Sequence, residues 1–421
     1  MNRALLHLAF CLLAMLPACA CATGSEPAAG RGYVVPIGGA LDYDNTAVWS
    51  RLVALAGGKS ARFAVLATAS EDPVAAAART ISALRKQGAQ AELIAVAPLL
   101  EGSDSAREAR NPVWVDKVGA ATAVYFTGGA QERIVDTLLP DGKPTPLLDA
   151  IRELYRRGGV VAGTSAGAAV MSEVMFRDAQ DVLKVLQGSM RVGHEIDRGL
   201  GLLDADVLVD QHFLRRGRIG RLLPLMQARR IRFGLGVDEN TAAIVHDGSV
   251  EVVGASSVLV VDLASAASDE TAGAFNIEGA MLNLLGNGDR MNLRSGKVTP
   301  SAARRAGTRI DPNGPGYKPY HAAVMFYPDF LGDRTLATAM GRLLDSPQHE
   351  LRGLAFAPAK NAGDGADTPG FEFRLAKTGR TLGWLGTAGG AEDYTVTGMR
   401  LDVEPVRMAA PLYRPWRPST P

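Results

Sequence analysis

The chain has 421 residues, a formal net charge of +1 and a hydrophobic content of 47%. These values fit a soluble globular protein of about two units and exclude a disordered or collagen-like chain. The near balance of acidic and basic residues gives no indication of nucleic-acid binding.

The N-terminal segment has the order of features expected of a secretory signal. Arg3 is followed by an apolar stretch at residues 4–16 and by small residues at 18–22. The apolar stretch is too short to span a membrane comfortably. Cleavage after Ala22 would release a soluble secreted or periplasmic protein, whereas the sequence LPAC ending at Cys19 leaves a lipoprotein anchor open. We therefore predict export.

All three cysteines, Cys11, Cys19 and Cys21, lie in this segment, so the mature chain would contain none. Disulfides, thiolate catalysis and cysteine-ligated zinc are thereby excluded for the mature protein. Its stability must come from core burial, which about 400 residues can supply. We expect no cofactor and no metal.

From Tyr33 onward, short apolar runs alternate with amphipathic stretches. This alternation predicts an α/β fold with a doubly wound, mainly parallel sheet and helices on both faces. In such sheets the chemistry gathers at the carboxyl ends of the strands. The predicted strands lie in YVVPI, RFAVLATAS, AELIAV, AVYFTGG and GGVVAGTS, and the predicted helices at 46–56, at 72–86 and in TPLLDAIRELYRRGG.

The composition shifts near Thr299, where the polar segment TPSAARRAGTRIDPNGPG is typical of a connector. The sequence beyond it predicts a smaller α+β unit without catalytic signals, containing an amphipathic helix at 333–344 and strands in FEFRLAK and YTVTGMRLDVEPV. The predicted division is a signal at 1–22, a linker at 23–31, a catalytic domain at 32–298, a connector at 299–318 and a C-terminal unit at 319–421.

The segment GGVVAGTSAGAAVM predicts a buried strand that turns directly into a helix, with Ser165 at the corner. Gly163 and Gly167 complete a Gly-x-Ser-x-Gly elbow, which exposes a serine hydroxyl at a sheet edge. On its own the pentapeptide fits a flexible turn of small residues equally well.

A nucleophilic serine needs a base, usually a histidine oriented by a carboxylate. His212 follows the apolar run 207–209, where a strand would end, and His194 is a competitor by position. Asp238 and Glu239 follow another strand-like run, although a turn and helix cap would also explain that pair. The functional hypothesis requires nucleophile, base and acid to follow separate strands at one edge of one sheet.

Stabilising a tetrahedral intermediate needs two N–H donors aimed at its oxygen. The sequence offers Ala166 at the start of the helix and Gly128 or Gly129 in FTGGAQ. Beyond His212 the chain carries a basic cluster, Arg215, Arg216, Arg218 and Arg221. Guanidinium groups beside a hydrolytic centre suggest a carboxylate-bearing substrate, and a solvated basic surface is the alternative.

Taken together, the motifs resemble those of cyanophycinases, serine peptidases related to dipeptidase E and built on a class I glutamine-amidotransferase-like sheet. The resemblance covers roughly residues 33–293, and DQHF followed by RGRIGRL and DENTA is its most specific part. The matching segments are IGGALD, LAGGKSARFAVLATAS, VYFTGGAQERI, GGVVAGTSAGAAVMS, GLGLLDADVLVDQHFLRRGRIGRLL, LGVDENTAAIV and GNGDRMNL.

This resemblance implies that Ser165 is the nucleophile, His212 the base and Glu239 its partner. It implies hydrolysis of cyanophycin, a poly-aspartate backbone with arginine on each β-carboxyl, to β-Asp-Arg dipeptides. Pocket arginines would pair with substrate carboxylates. The pocket residues implied by the motifs are Gln131, Asp210, Gln211, Arg216, Arg218 and Arg221.

Two features depart from the family pattern. After IGG the family often continues with Glu-Asp-Lys, whereas this chain has ALDYDN. Intracellular members lack a signal segment, so export suggests an enzyme that scavenges polymer released by other cells.

Several alternatives stay open at this point. They are an aspartyl dipeptidase or other acidic-peptide hydrolase, an esterase using Ser165 with His321 or His349, and a non-catalytic periplasmic peptide-binding protein. A homodimer is also compatible with the sequence.

Overall fold

The computed structural model describes residues 31–323, 326–357, 369–386, 393–409 and 412. The predicted signal segment, its three cysteines, the anchor at Cys19 and most of the linker lie outside these ranges. Within them, no helix combines the length and hydrophobicity needed to cross a bilayer.

The strands and helices alternate through the first half of the chain, and strands dominate the second half. The strands are β1 (Tyr33–Ile37), β2 (Arg62–Leu66), β3 (Gln90–Ile94), β4 (Ala123–Phe126), β5 (Val160–Thr164), β6 (Val174–Phe176), β7 (Ile196–Arg198), β8 (Val207–Asp210), β9 (Phe233–Val237), β10 (Thr241–His246), β11 (Ser249–Gly254), β12 (Val258–Asp262), β13 (Ile277–Leu285), β14 (Arg290–Asn292), β15 (Lys297–Thr299), β16 (Thr308–Ile310), β17 (Glu350–Ala355), β18 (Gly370–Ala376), β19 (Leu382–Gly386) and β20 (Asp393–Val406). The helices are α1 (Thr46–Leu55), α2 (Pro73–Lys86), α3 (Ser105–Glu108), α4 (Pro112–Ala120), α5 (Gln131–Leu138), α6 (Pro146–Arg156), α7 (Ala166–Ala169), α8 (Val182–Leu186), α9 (Ile219–Arg229), α10 (Ala302–Ala306) and α11 (Thr335–Leu344).

The first sheet has the order β15-β14-β11-β10-β1-β5-β4-β2-β3. Strands β1, β5, β4, β2 and β3 are parallel neighbours, and the other four continue the sheet antiparallel. Helices α1 and α2 cover one face, and α4, α5 and α6 cover the other. Burial on both faces explains why these parallel strands are almost continuously apolar. The predicted α/β class with a mainly parallel, doubly wound sheet is confirmed.

Local signals set the helix boundaries. Asp72 caps α2 by accepting a hydrogen bond from the Ala75 N–H (2.9 Å), and Pro73 occupies the first helical position. The predicted helix at 333–344 begins later, at Thr335. Arg334 has a φ of 52°, in the left-handed region, and so cannot belong to the helix.

The second sheet has the order β16-β19-β20-β13-β12-β9-β8, with β18 pairing with β20 and β17. Strands from both sides of the predicted boundary near Thr299 lie in it, because β20 pairs along β13. The hydrophobic core on one face of this sheet joins α8 and α9 to α11 and the C-terminal strands. The division of the chain at 299–318 stays a prediction, and in space its two sides share one sheet and one core.

The two sheets meet where β1 ends. The Gly38 carbonyl accepts the backbone N–H of His212 (2.6 Å), and the Gly39 carbonyl accepts that of Asn240 (2.8 Å). The expectation that the three candidate residues follow strands of one sheet is wrong. Ser165 follows β5 of the first sheet, whereas His212 and Glu239 follow β8 and β9 of the second. The three side chains converge because the residues directly after β1, Gly38 and Gly39, hydrogen-bond to the segments that follow β8 and β9.

Candidate active site

Ser165 lies on a sharp corner between β5 and α7. Its φ of 52° and ψ of −111° are rare for a residue with a side chain, and its N–H donates to the Ile37 carbonyl (2.9 Å). The corner requires both flanking glycines. A Cβ at Gly163 would lie 2.6 Å from the Gly167 carbonyl oxygen, and one at Gly167 would lie 2.6 Å from that of Phe126. The sequence therefore folds locally as the predicted elbow.

The imidazole of His212 faces this serine. Its Nε2 lies 2.9 Å from Ser165 Oγ, and the ring is almost entirely buried. The backbone of His212 also has a positive φ, 47°, and is held by the hydrogen bond to Gly38. Gly39 packs against the ring so closely that a Cβ there would lie 2.2 Å from Nε2.

Glu239 contacts the opposite side of the ring, with Oε1 2.6 Å from Nδ1 of His212. A carboxylate in this place accepts a hydrogen bond from the Nδ1–H and leaves Nε2 as a lone-pair acceptor toward Ser165. Asp238, the other acidic candidate, turns away from the ring and is completely buried. Of the Asp-Glu pair, only Glu239 contacts the imidazole.

The surroundings of His212 keep its ring neutral near pH 7. Burial lowers the pKa of His212 below its ordinary value of 6.5, and the positive charges of Arg216 and Arg218 lower it further. The hydrogen bond to Glu239 opposes both effects because it stabilises the protonated ring. A neutral imidazole can accept the serine proton.

The other histidines in the described part of the chain make no hydrogen bond to Ser165. His194 is exposed before β7, and Nδ1 of His246 bonds to the Gly32 carbonyl. The backbone N–H of His321 donates to the Asp345 carbonyl. The backbone carbonyl of His349 accepts from the backbone N–H of Lys377. The esterase alternative with His321 or His349 thus has no support in the geometry.

The residues predicted as oxyanion donors follow Ser165 directly or lie in the loop after β4. Ala166 opens α7, and Gly128 lies so near that a Cβ there would be 3.2 Å from Ser165 Cβ. Gly129 has a φ of 141°, and a Cβ on it would lie 1.9 Å from the Ala69 carbonyl oxygen. Among the described contacts, none occupies the N–H of Ala166 or Gly129. Their oxyanion role stays a prediction.

Four of the predicted pocket residues, Asp210, Gln211, Arg218 and Arg221, form a buried network. Both carboxylate oxygens of Asp210 accept hydrogen bonds from Arg221 (2.7 and 2.5 Å). Arg218 donates to the carbonyl oxygen of Gln211 (2.7 Å) and to its side-chain oxygen. At most 4% of each residue is exposed. Both arginines thus have Asp210 as their counter-charge, and the hydrogen bonds stabilise the turn that begins at His212.

Arg216 and Gln131 differ from that network. Arg216 is exposed, and no group in the described ranges pairs with its guanidinium. Gln131 opens α5 and donates through Nε2 to the carbonyl oxygens of Phe176 (3.1 Å) and Arg177 (2.5 Å), so it holds the segment after β6. Of the predicted pocket residues, Arg216 is the one available cation in the described structure.

The segment ALDYDN fixes the residue that follows the acid, a role that its sequence does not indicate. Asn240 donates to Asp42 Oδ2 (2.6 Å) and accepts from Asn45 Nδ2 (2.7 Å). Asn240 has a φ of 55°, a conformation that asparagine tolerates better than most residues. Because Asn240 follows Glu239 directly, these bonds fix the turn between β9 and β10 that carries the acid.

A hydroxyl, an imidazole and a carboxylate in this order can deprotonate the alcohol and attack a carbonyl carbon. Among the residues described, no cluster of three or more His, Cys, Asp or Glu side chains could hold a metal ion.

Comparisons with known proteins identify relatives. The family model described as peptidase family S51 matches residues 38–253. A cyanophycinase from Geminocystis herdmanii (strain PCC 6308) is 34% identical over 277 residues, which are 63% of this chain and 95% of that protein. A cyanophycinase from Nostoc sp. (strain PCC 7120) is 31% identical over 287 residues, 66% of this chain and 91% of that protein. A crystal structure of a peptidase from an acI-B1 actinobacterium aligns with a TM-score of 0.43 and 24% identity, over 55% of this chain and 91% of that one.

Proposed function

Because this chain belongs to peptidase family S51, we propose that it degrades cyanophycin to β-Asp-Arg dipeptides with Ser165 as nucleophile, His212 as base and Glu239 as its partner. The observation that carries this proposal is the unbroken hydrogen-bonded series from Ser165 Oγ to His212 (2.9 Å) and on to Glu239 (2.6 Å). The curated relatives named as cyanophycinases supply the substrate class.

Acylation begins when His212 Nε2 accepts the Ser165 proton as Oγ attacks the peptide carbonyl. Glu239 stabilises the imidazolium that forms. The N–H groups of Ala166 and Gly129 donate to the negatively charged oxygen of the tetrahedral intermediate. His212 then returns the proton to the leaving amine, and an acyl-enzyme remains on Ser165.

Deacylation repeats these steps with water in place of the amine. His212 accepts a proton from water, the resulting hydroxide attacks the ester, and Ser165 leaves as an alcohol after regaining a proton. One peptide bond is thus hydrolysed per cycle, with the enzyme returned to its starting state.

Substrate recognition relies on Arg216. Its exposed and unpaired guanidinium suits a carboxylate of the arginyl-aspartate polymer, which a planar fork of donors can bind bidentately. Asp210 and Arg221 pair with each other, so their charges are not available to the substrate. We assign this buried pair a structural role beside the pocket.

The decisive experiment is incubation of the purified protein with insoluble cyanophycin and identification of the products. We expect release of β-Asp-Arg from the wild type and nearly complete loss of release in Ser165→Ala and His212→Ala. His321→Ala is the matched control and should retain activity. Hydrolysis of Asp-Xaa dipeptides without cyanophycin turnover would instead indicate an aspartyl dipeptidase. Binding of peptides without hydrolysis of either substrate would indicate a binding protein.

We also propose that the protein is exported, on the basis of the signal pattern in residues 1–22. Expression of the full chain in a bacterium, followed by fractionation and mass spectrometry of its N terminus, tests this. Cleavage after Ala22 indicates a soluble exported protein, and a lipid-modified N-terminal Cys19 indicates an anchored one. An uncleaved chain in the cytoplasm contradicts the proposal.

A further inference from the structure

The segment before α11 contacts the turn that follows the catalytic base. The Leu331 carbonyl oxygen lies against Gly217, where a Cβ would be only 1.9 Å away. The backbone N–H of Arg334 donates to the Leu214 carbonyl (2.8 Å). Both contacts fall within five residues of His212, so the C-terminal part of the chain touches the turn that carries the base.

Charged contacts reinforce this attachment. Arg215 forms an ion pair with Asp333 (2.9 Å). The guanidinium of Arg334 lies 3.6 Å from Oδ2 of Asp238, which is completely buried. Asp238 also accepts hydrogen bonds from the Arg215 N–H (3.0 Å) and from Ser256 Oγ (2.7 Å). The carboxylate of Asp238 therefore connects the turn after the base to the C-terminal segment. Asp238 itself directly precedes the acid, Glu239.

The segment is itself firmly anchored. Phe330 is completely buried and stacks on Phe373, with ring centroids 4.8 Å apart. Its N–H donates to the Leu354 carbonyl (2.8 Å). Since Phe330 belongs to the core of the second sheet, the contacts at Arg334 rest on a rigid support.

We infer that Arg334 is a positioning residue, which holds His212 and Glu239 in register with Ser165 through Asp238 and Leu214. The inference rests on the proposed function. Arg334 lies outside the part of the chain that the family model matches, residues 38–253. Catalysis depends on such alignment because an error of about 1 Å in the reacting groups can cost about 100-fold in rate.

The test compares Arg334→Asn with Arg334→Lys and with the control Arg352→Asn. Asparagine tolerates the positive φ at this position, so the backbone is preserved while the charge is lost. Arg352 is a matched control because its side chain is 49% exposed, against 52% for Arg334, and its ion pairs with Glu350 and Glu372 involve neither Asp238 nor Leu214. Each protein is assayed on cyanophycin and for the rate at which a sulfonyl fluoride modifies Ser165.

We expect Arg334→Asn to lower both kcat and the rate of Ser165 modification about tenfold, with KM and the pH midpoint unchanged. Arg334→Lys should recover most of the rate, and Arg352→Asn should match the wild type. Wild-type rates in Arg334→Asn, with only a lower Tm, overturn the inference alone. A wild-type Ser165 that the reagent does not modify overturns the proposed function as well. If Arg334→Asn fails to fold, Asp333→Asn tests the same segment, with a several-fold loss of kcat expected and a wild-type kcat contradicting it.

Discussion

Gly39 lies directly against the imidazole of His212, so that a Cβ at position 39 would meet Nε2 at 2.2 Å. Gly39 also has a φ of 102°, which residues with side chains rarely adopt. We therefore predict that Gly39→Ala displaces the ring from Ser165 and lowers kcat/KM on cyanophycin by about 100-fold. Steady-state kinetics of the purified variant measure this loss.

Gly188→Ala is the matched control for that variant. Gly188 has nearly the same φ, 101°, but nothing lies within 4 Å of a Cβ built there. Backbone strain therefore acts in both variants, whereas the clash with the imidazole occurs only at position 39. An equal loss of activity in the two variants would show that contact with His212 is not the cause.

The pH dependence of the reaction should reflect the lowered pKa of His212. The base works only as neutral imidazole, so kcat/KM falls as the pH drops through the pKa of the free enzyme. Burial, Arg216 and Arg218 lower this pKa, which puts the midpoint of the acid limb below 6.5. A pH profile of kcat/KM measures the midpoint, and a value above 6.5 would contradict the electrostatic account.

Replacing Arg216 should move that midpoint in a defined direction. Removing its positive charge makes protonation of His212 less unfavourable, so Arg216→Gln raises the pKa and shifts the acid limb to higher pH. High salt should reduce the difference because Arg216 is exposed. Arg215→Gln is the neighbouring control, since Arg215 pairs with Asp333 and is not among the charges identified as lowering the pKa of His212. A midpoint in Arg216→Gln equal to that of the wild type would refute this prediction.

The sequence was informative about strand ends but not about which strands pair. Buried apolar runs predicted β5, β8 and β9, and thus the positions of Ser165, His212 and Glu239. That β8 and β9 belong to a second sheet depends on pairing of β9 with β12, which no local pattern encodes. The family match and the curated relatives confirm the family membership inferred from the motifs. The sequence sufficed for this inference because the short motifs are specific in combination.

The pairing of buried side chains was the other feature that could not be predicted from the sequence. Arg218 and Arg221 were predicted to line the substrate pocket, but the sequence did not show that Asp210 pairs with Arg221 rather than with a guanidinium of the substrate. Partners such as Asp238 and Arg334 are far apart along the chain, and Arg334 itself has a positive φ of 52°. Periodicity carries no signal for such contacts.

The buried pair of Asp210 and Arg221 should contribute to stability more than to substrate binding. Asp210→Asn leaves the guanidinium of Arg221 buried without a counter-charge, which we expect to lower the free energy of unfolding by about 3–5 kcal/mol. Arg216→Gln removes an exposed, unpaired group and should change it by less than about 0.5 kcal/mol while raising KM. Urea unfolding and steady-state kinetics measure the two effects. The assignment fails if Asp210→Asn unfolds like the wild type.

The backbone conformation that Ser165 adopts at the active site should lower the free energy of unfolding of the protein. Its φ of 52° and ψ of −111° store strain of about 1–3 kcal/mol, which glycine relieves and alanine does not. Glycine costs about 0.5–1 kcal/mol in backbone entropy, so Ser165→Gly should be more stable than Ser165→Ala by about 1 kcal/mol, with both inactive.

Ser82 provides the reference for this comparison, because it is exposed within α2 and has an ordinary helical backbone. There the order reverses: Ser82→Gly should be less stable than Ser82→Ala by about 1 kcal/mol. Urea unfolding of the four variants measures both differences. If glycine were the less stable replacement at both positions, the backbone of Ser165 would be unstrained, and this prediction would be refuted.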